Sequence, residues 1–259
     1  MTIEAFDITA GYSADKPVLA NESIAIKRGM INIILGKNGC GKSTLLKALC
    51  RQLKISSGCI KLNDIDMVDL SRKALAKKVG ILFQENEIPR SLNVRDLVGY
   101  GRFAQTGLFS GTQKADLEKI EEAMQLTGTT KFSDKPVSSL SSGQRQLVWI
   151  AMLIAQEAEY LFLDEPTTYL DLKNQFEIMN CLVKLKEEKH KTIVAILHDI
   201  NLALQYADWL FILDNGKIVD QGDPASICKE KGSLLENVFE VKMNITLKDN
   251  GQYTCVPVR

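Results

Sequence analysis

Residues whose types and spacing can do chemistry fall into three sets. The first is Gly36-Lys37-Asn38-Gly39-Cys40-Gly41-Lys42-Ser43-Thr44. Its glycines can adopt backbone angles closed to other residues, so successive N–H groups can turn inward around a polyphosphate. Lys42 would reach the β- and γ-phosphates as a point charge, and the Ser43 hydroxyl is placed to ligate the magnesium ion that bridges them. The second set is Asp164-Glu165, which closes the apolar run Tyr160-Leu161-Phe162-Leu163. Asp164 at a strand end can hold magnesium through water, while Glu165 points to the opposite side of the chain, toward a different partner. Such a pair can be a solvated edge, but in a chain with a phosphate loop it reads as a hydrolytic pair. The third set is Gln84 and His198, each standing at the carboxyl end of another apolar run, Val79–Phe83 and Thr192–Leu197. Open α/β sheets place ligand contacts at such strand ends. A solvated glutamine and a satisfied core histidine are the plainer alternatives.

The elements that must position these residues follow from periodicity. Ile31–Leu35 is a strand leading into the loop, and Leu45–Cys50 has helical spacing after it, so a helix N-terminus adds its own donors. Residues 2–9 and 22–27 read as strands. Between them Tyr12 could stack on a base through its π-face or be a half-buried loop aromatic. Ser57-Gly58 reads as a turn opening a strand to Asn63, followed by a polar helix near 71–77. From 88 to about 156 the strand–helix rhythm breaks. Helical spacing surrounds Val94–Val98, and Leu117, Ile120 and Met124 mark one face of another helix. The last helix of this stretch starts at Ser139–Gln144 with a serine cap and runs to Ala155, which makes a second N-terminus suited to an anion. Trp209–Leu213, Asn215-Gly216 and Lys217–Val219 spell a hairpin, and the remainder looks like a short helix and terminal strands. The expected organisation is a single α/β domain spanning 1–259. Its nucleotide-binding core comprises about 1–87 and 157–259, interrupted by a helical subdomain at about 88–156.

Composition narrows the class. The 259 residues carry 32 basic and 32 acidic side chains, so no net field draws the chain to nucleic acid or an anionic membrane. The six cysteines form no Cys-x-x-Cys pair and the two histidines lack metal-ligand spacing, so the thiols read as reduced and mostly buried. The N-terminus, MTIEAFDITAGY, lacks the basic flank and apolar core of a secretory signal. The longest apolar run, Val148–Ala155, is far below the roughly 18 to 20 residues needed to span a bilayer. A protein that is soluble, or held at a membrane by a partner, is expected.

Taken in order, these motifs resemble the ATP-binding subunit of an ABC transporter over essentially the whole length. In that family's terms Gly36–Thr44 is the Walker A loop, Gln84 the Q-loop, Leu140–Gln144 the signature, Leu161–Glu165 the Walker B strand with its base, Thr168–Asp171 the D-loop and His198 the switch histidine. The resemblance implies a P-loop NTPase core with a mainly parallel sheet, an N-terminal antiparallel β subdomain and an inserted α-helical subdomain. It implies ATP and Mg2+ as cofactors, with the metal held by Ser43, Gln84 and Asp164, the catalytic roles on Glu165, His198 and Gln84, and Tyr12 stacked on adenine. Ser141, Ser142, Gly143 and Gln144 would contact the ATP of a second copy, with Asp171 beside them, in a head-to-tail dimer enclosing two ATP molecules. Transmembrane permease subunits would be partners, an extracytoplasmic substrate-binding protein would be an indirect one, and no nucleic acid is expected. The location implied is the cytoplasmic face of the bacterial inner membrane, peripheral through the permease.

Within the family, Arg102-Phe103, PVSSLSSGQRQLVWIAMLIAQ, DEPTTYLDL and LHDINLALQYAD resemble ATPases of importers for iron-siderophore complexes, haem and cobalamin. The chain departs from the family at Ser142, where the signature usually has glycine, and at Leu147, where an arginine is frequent. Residues 85–103, with Ile88, Leu92, Val94, Leu97 and Tyr100, are the candidate permease-docking surface, or else subdomain core. Three rivals stay open: an ABC ATPase energising transport of another solute, a small-molecule kinase, and an ABC-type ATPase acting on nucleic acid or ribosomes. The kinase would not require Leu140–Gln144 or Glu165. The nucleic-acid ATPase would normally add a long coiled coil or a second cassette, and neither is present in this sequence.

Overall fold

The structure, a computed structural model, describes residues 2–13, 15–84, 86, 91–106, 113–230 and 232–258. In chain order come β1 (Ile3–Ala10), β2 (Leu19–Ala25), β3 (Ile31–Leu35), α1 (Lys42–Leu49), β4 (Ile55–Leu62) and β5 (Ile65–Asp66). Then follow α2 (Arg72–Ala76), β6 (Val79–Leu82), α3 (Val94–Gly99), α4 (Phe103–Thr106), α5 (Lys114–Leu126), α6 (Ser142–Ala155), β7 (Tyr160–Leu163) and α7 (Leu172–Lys189). Last are β8 (Thr192–Ile196), α8 (Ile200–Tyr206), β9 (Trp209–Asp214), β10 (Lys217–Gly222), α9 (Pro224–Glu230), α10 (Gly232–Phe239), β11 (Met243–Leu247) and β12 (Tyr253–Pro257). They form two compact units: Met1–Leu70 with Thr192–Arg259, and Ser71–Lys191.

In the first unit an antiparallel sheet runs in the order β2-β1-β4-β5. A second set of strands has β3 at its centre, parallel to both β8 and β9, with β10 antiparallel on β9. All residues of β3 and β8 are buried. That is the pattern of parallel strands covered on both faces, and it explains why the runs are apolar without alternation. The one polar exception in β3 is Asn32, wholly buried. Its Oδ1 accepts from the Lys27 N–H at 2.8 Å, and its Nδ2 donates to the carbonyls of Lys27 at 2.8 Å, Met30 at 3.1 Å and Ile193 at 3.2 Å. The amide therefore fastens the turn before β3 to β8 and leaves none of its own polar atoms unpaired.

In the second unit β6 lies parallel to β7, and the named elements between them are helical. Helix α6 buries Val148, Ile150, Ala151 and Leu153, with α3 and α5 packed on it. Asp116 on α5 is 3% exposed and accepts from Arg102 Nε at 2.9 Å, while the Arg102 guanidinium also donates to Glu157 and the Ala155 carbonyl, both at 2.7 Å. The hydrogen bond from Arg102 holds the Asp116 carboxyl below the usual carboxylate range.

The α/β class with mainly parallel pairs and an N-terminal antiparallel sheet is the fold observed. Several local expectations need correction. Ser57-Gly58 is no turn: it lies inside β4, where Gly58, at φ 81°, is the single residue facing a bulge in β1, whose Asp7 and Ile8 both lie between the pairs Phe6–Cys59 and Thr9–Ser57. Leu117 is exposed, and the buried face of α5 is Asp116, Ile120, Ala123 and Met124, because Arg102 makes an aspartate tolerable inside. Of the docking candidates, Val94 and Leu97 are fully buried core, Leu92 is half-buried, Tyr100 is exposed and stacked on Phe103, and Ile88 lies outside the described residues. Helix α7, with Ile178, Met179, Leu182 and Leu185 buried, carries a stripe the sequence reading passed over.

Asn32→Ala is expected to lower the unfolding free energy by about 1 to 3 kcal/mol, since it removes the acceptor of the Lys27 N–H and the buried donor to the Ile193 carbonyl together. Urea denaturation monitored by tryptophan fluorescence measures it.

Candidate functional site

The phosphate loop joins the end of β3 to α1, and its shape is set from beneath. A Cβ on Gly36 would lie 2.1 Å from the Leu213 carbonyl oxygen and 2.7 Å from Cys40 Sγ, so only glycine lets the loop press against β9. Gly41, the residue before α1, sits at φ 109°, a left-handed conformation that L side chains rarely adopt. The Cys40 carbonyl accepts from the Gly216 N–H at 2.8 Å, so the tight Asn215-Gly216 turn braces the loop. Burial pushes the Cys40 thiol up, which keeps it protonated and unreactive.

The loop's cation is poised rather than solvated. Lys42 is 5% exposed, and its Nζ donates to the carbonyls of Gly36 and Lys37 at 2.8 Å each. Lys37 turns outward, its Nζ 2.7 Å from Glu240 Oε1 and 3.8 Å from Asp214 Oδ1. Asn38 and Gly39 are exposed at the loop tip, Ser43 is half-buried and Thr44 is buried. Tyr12 presents an open ring, 67% exposed, with Lys47 Nζ 5.9 Å from its centroid. His198 is exposed just beyond β8, and Asp199 after it caps α8 by accepting the Leu202 N–H at 3.0 Å.

The second unit gathers the carboxylates. Asp164 is 4% exposed at the end of β7. Glu165 follows at φ 52°, a strained angle for a residue with a Cβ and one that surrounding contacts must maintain. Two donors converge on its Oε2: Gln84 Nε2 at 2.6 Å and Thr168 Oγ1 at 3.0 Å. The pairing of Gln84 with Glu165 joins two residues 81 positions apart in sequence. Thr168 as a direct holder of Glu165 was not read from the sequence, although its place three residues on is the only signal needed.

Helix α6 begins as its sequence predicts. Ser141 is the N-cap, its Oγ accepting from the Gln144 N–H at 3.3 Å while Gln144 Oε1 accepts from the Ser141 N–H at 3.1 Å. Arg145 donates to the Leu140 carbonyl, Ser142 is exposed and Gly143 is buried. Leu147, where the family often has arginine, is a buried side chain of this helix. Asp171 caps α7, accepting the Asn174 N–H at 2.8 Å. Ser141, Gln144, Asp171 and Asn174 line one open cleft of about 630 Å³.

A glycine loop backed by a buried strand, a lysine held in reserve, and a buried aspartate followed by a hydrogen-bonded glutamate are the parts of a nucleoside triphosphatase, and the comparisons agree. A family model described as ABC transporter matches residues 19–168. The achromobactin transport ATP-binding protein CbrD of Dickeya dadantii is 39% identical over 94% of this chain and 89% of its own length. The iron(3+)-hydroxamate import ATP-binding protein FhuC of Bacillus subtilis is 38% identical over 91% and 86%. Among solved structures, an inward-facing metal-chelate type ABC transporter is similar with a TM-score of 0.85 and 26% identity, covering 100% of this chain and 98% of that one. A dimeric bacterial ABC transporter cassette gives 0.75 and 28%, covering 86% and 98%. The chain belongs to the ABC transporter family, as a nucleotide-binding ATPase of it. Among the described residues no helix is long and apolar enough to cross a membrane.

Gly36→Ala is expected to cost about 1 to 3 kcal/mol of stability through overpacking against Leu213 and to abolish nucleotide retention. Chemical unfolding and titration with a fluorescent ATP analogue report the two losses separately.

Proposed function

We propose that the chain energises a membrane permease that takes up an iron-siderophore complex. The single observation that carries hydrolysis is the fixing of Glu165, at a strained backbone angle, by Gln84 and Thr168. The named specificities of CbrD and FhuC support an iron-chelate cargo, which the sequence motifs left beside haem and cobalamin.

ATP enters with its adenine on Tyr12 and its phosphates in the arc from Gly36 to Thr44. The Lys42 ammonium then exchanges the carbonyls of Gly36 and Lys37 for phosphate oxygens, a trade of dipoles for full charge. Ser43, Asp164 and the Gln84 amide oxygen, hard oxygen donors of the kind Mg2+ takes, would hold the ion, which would neutralise developing phosphate charge. Gln84 can serve both purposes, because its Nε2 already faces Glu165 and its carbonyl oxygen remains the ligand atom. Glu165 accepts the proton of the attacking water, and His198 hydrogen-bonds the γ-phosphate. The capped start of α6, Ser141–Gln144, with Asp171 beside it, meets the ATP held by a second copy of the chain, so two copies close head to tail around two nucleotides. The dimeric relative supports that arrangement. The permease draws the assembly to the cytoplasmic face of the membrane, with a substrate-binding protein on the far side.

Glu165→Gln is expected to lower turnover by about a hundred- to ten-thousand-fold while leaving ATP affinity within a few-fold, because an isosteric amide keeps the contacts and loses only the base. Phosphate release by the purified chain and uptake of a labelled ferric siderophore by cells lacking the native copy test chemistry and cargo together. A variant that keeps more than about a tenth of turnover places the base elsewhere. Normal siderophore uptake in cells without the protein removes the cargo assignment.

A further inference from the structure

The chain from α9 to β12 is tied to both parts of the first unit that the proposed mechanism uses. On one side Glu240, directly after α10, pairs with Lys37 of the phosphate loop. On the other, Asn201, in the first turn of α8 and three residues past His198, reads the backbone of Cys255 with both ends of its amide. Its Oδ1 accepts from the Cys255 N–H at 2.8 Å and its Nδ2 donates to the Cys255 carbonyl at 3.0 Å. A side-chain amide thus takes the place of a neighbouring strand on β12, whose other edge pairs with β11 in register Ile245 to Cys255. Cys255 is 3% exposed and packs its thiol beside that of Cys228 on α9, so the strand that Asn201 grips is anchored from behind.

A two-point hydrogen bond fixes orientation as well as distance, which a single bond or an apolar contact cannot do. Asp199 caps α8 and Asn201 fastens the same turn to β12, so the short segment that carries His198 is held from both sides. We propose that the C-terminal hairpin β11–β12 is a clamp on the chemistry, with Asn201 as the positioning residue that sets where His198 stands. This rests on the reading that His198 contacts the γ-phosphate. The hairpin then serves turnover rather than nucleotide capture, since the phosphate loop and Tyr12 do not depend on Asn201.

The test is steady-state phosphate release by the full-length chain for Asn201→Ala, His198→Ala and the double variant, each corrected for its ATP-binding-competent fraction. Asn201→Ala is expected to lower kcat by about five- to fifty-fold, the scale of a small misplacement of a reacting group, with KM for ATP within about two-fold of wild type. In the His198→Ala background the same substitution is expected to cost nothing further, because its effect passes through a side chain already removed. Asn201→Asp keeps the acceptor for the Cys255 N–H and loses the donor, so an intermediate kcat is expected; it carries the test if the alanine variant does not fold. Losses that multiply in the double variant, or an unchanged kcat in Asn201→Ala, overturn the clamp while leaving His198 in its role. Full turnover in His198→Ala overturns both.

Discussion

A polyphosphate can be held only by donors that are already in place, and in the first unit several contacts keep one short arc of backbone from moving. The arc between β3 and α1 rests on the Leu213 carbonyl through Gly36, hangs from the Asn215-Gly216 turn through Cys40, and is flanked by the ion pair of Lys37 with Glu240. Behind it Asn32 locks β3 to β8. The surface ion pair contributes little stability by itself. The buried amide and the backbone contacts contribute the rigidity, and the Lys42 ammonium, buried and hydrogen-bonded to the carbonyls of Gly36 and Lys37, is kept against the arc.

The carboxylate half follows a different logic. A residue in the base's proposed role must be fixed without losing its basicity, and neutral donors can do that. Gln84 and Thr168 do this for Glu165, and the backbone carries the strain of φ 52° to bring the side chain to them. An arginine in their place would hold the carboxylate more firmly and depress its basicity. The second unit does use an arginine where no chemistry is asked for: Arg102 secures Asp116 and Glu157 in the helical packing.

What the sequence made legible was whatever is local. The loop, the strand before it, the serine cap of α6, the Asn-Gly hairpin and the acidic close of β7 are each written within about ten consecutive residues, and each has a mechanism that demands those residue types. What stayed hidden depends on partners far along the chain. Leu117 reads as part of the apolar face of α5, yet it is exposed while its neighbour Asp116 is buried with Arg102 donating to it. Gly58 looks like a turn until β1 is laid beside it and the glycine is found within a strand, facing a bulge in β1. Asn201 looks like an ordinary helix residue until Cys255 is found on it, 54 positions away.

The central claim is that one copy provides the cradle for ATP and another provides the capped start of α6, so that nucleotide is what joins them. Light scattering on the Glu165→Gln chain, with and without ATP, tests it most directly. A mass near that of one 28.8 kDa chain without nucleotide, doubling when ATP is added and returning when it is removed, is the predicted result. An unchanged single-chain mass while bound ATP is measured in the same sample contradicts it.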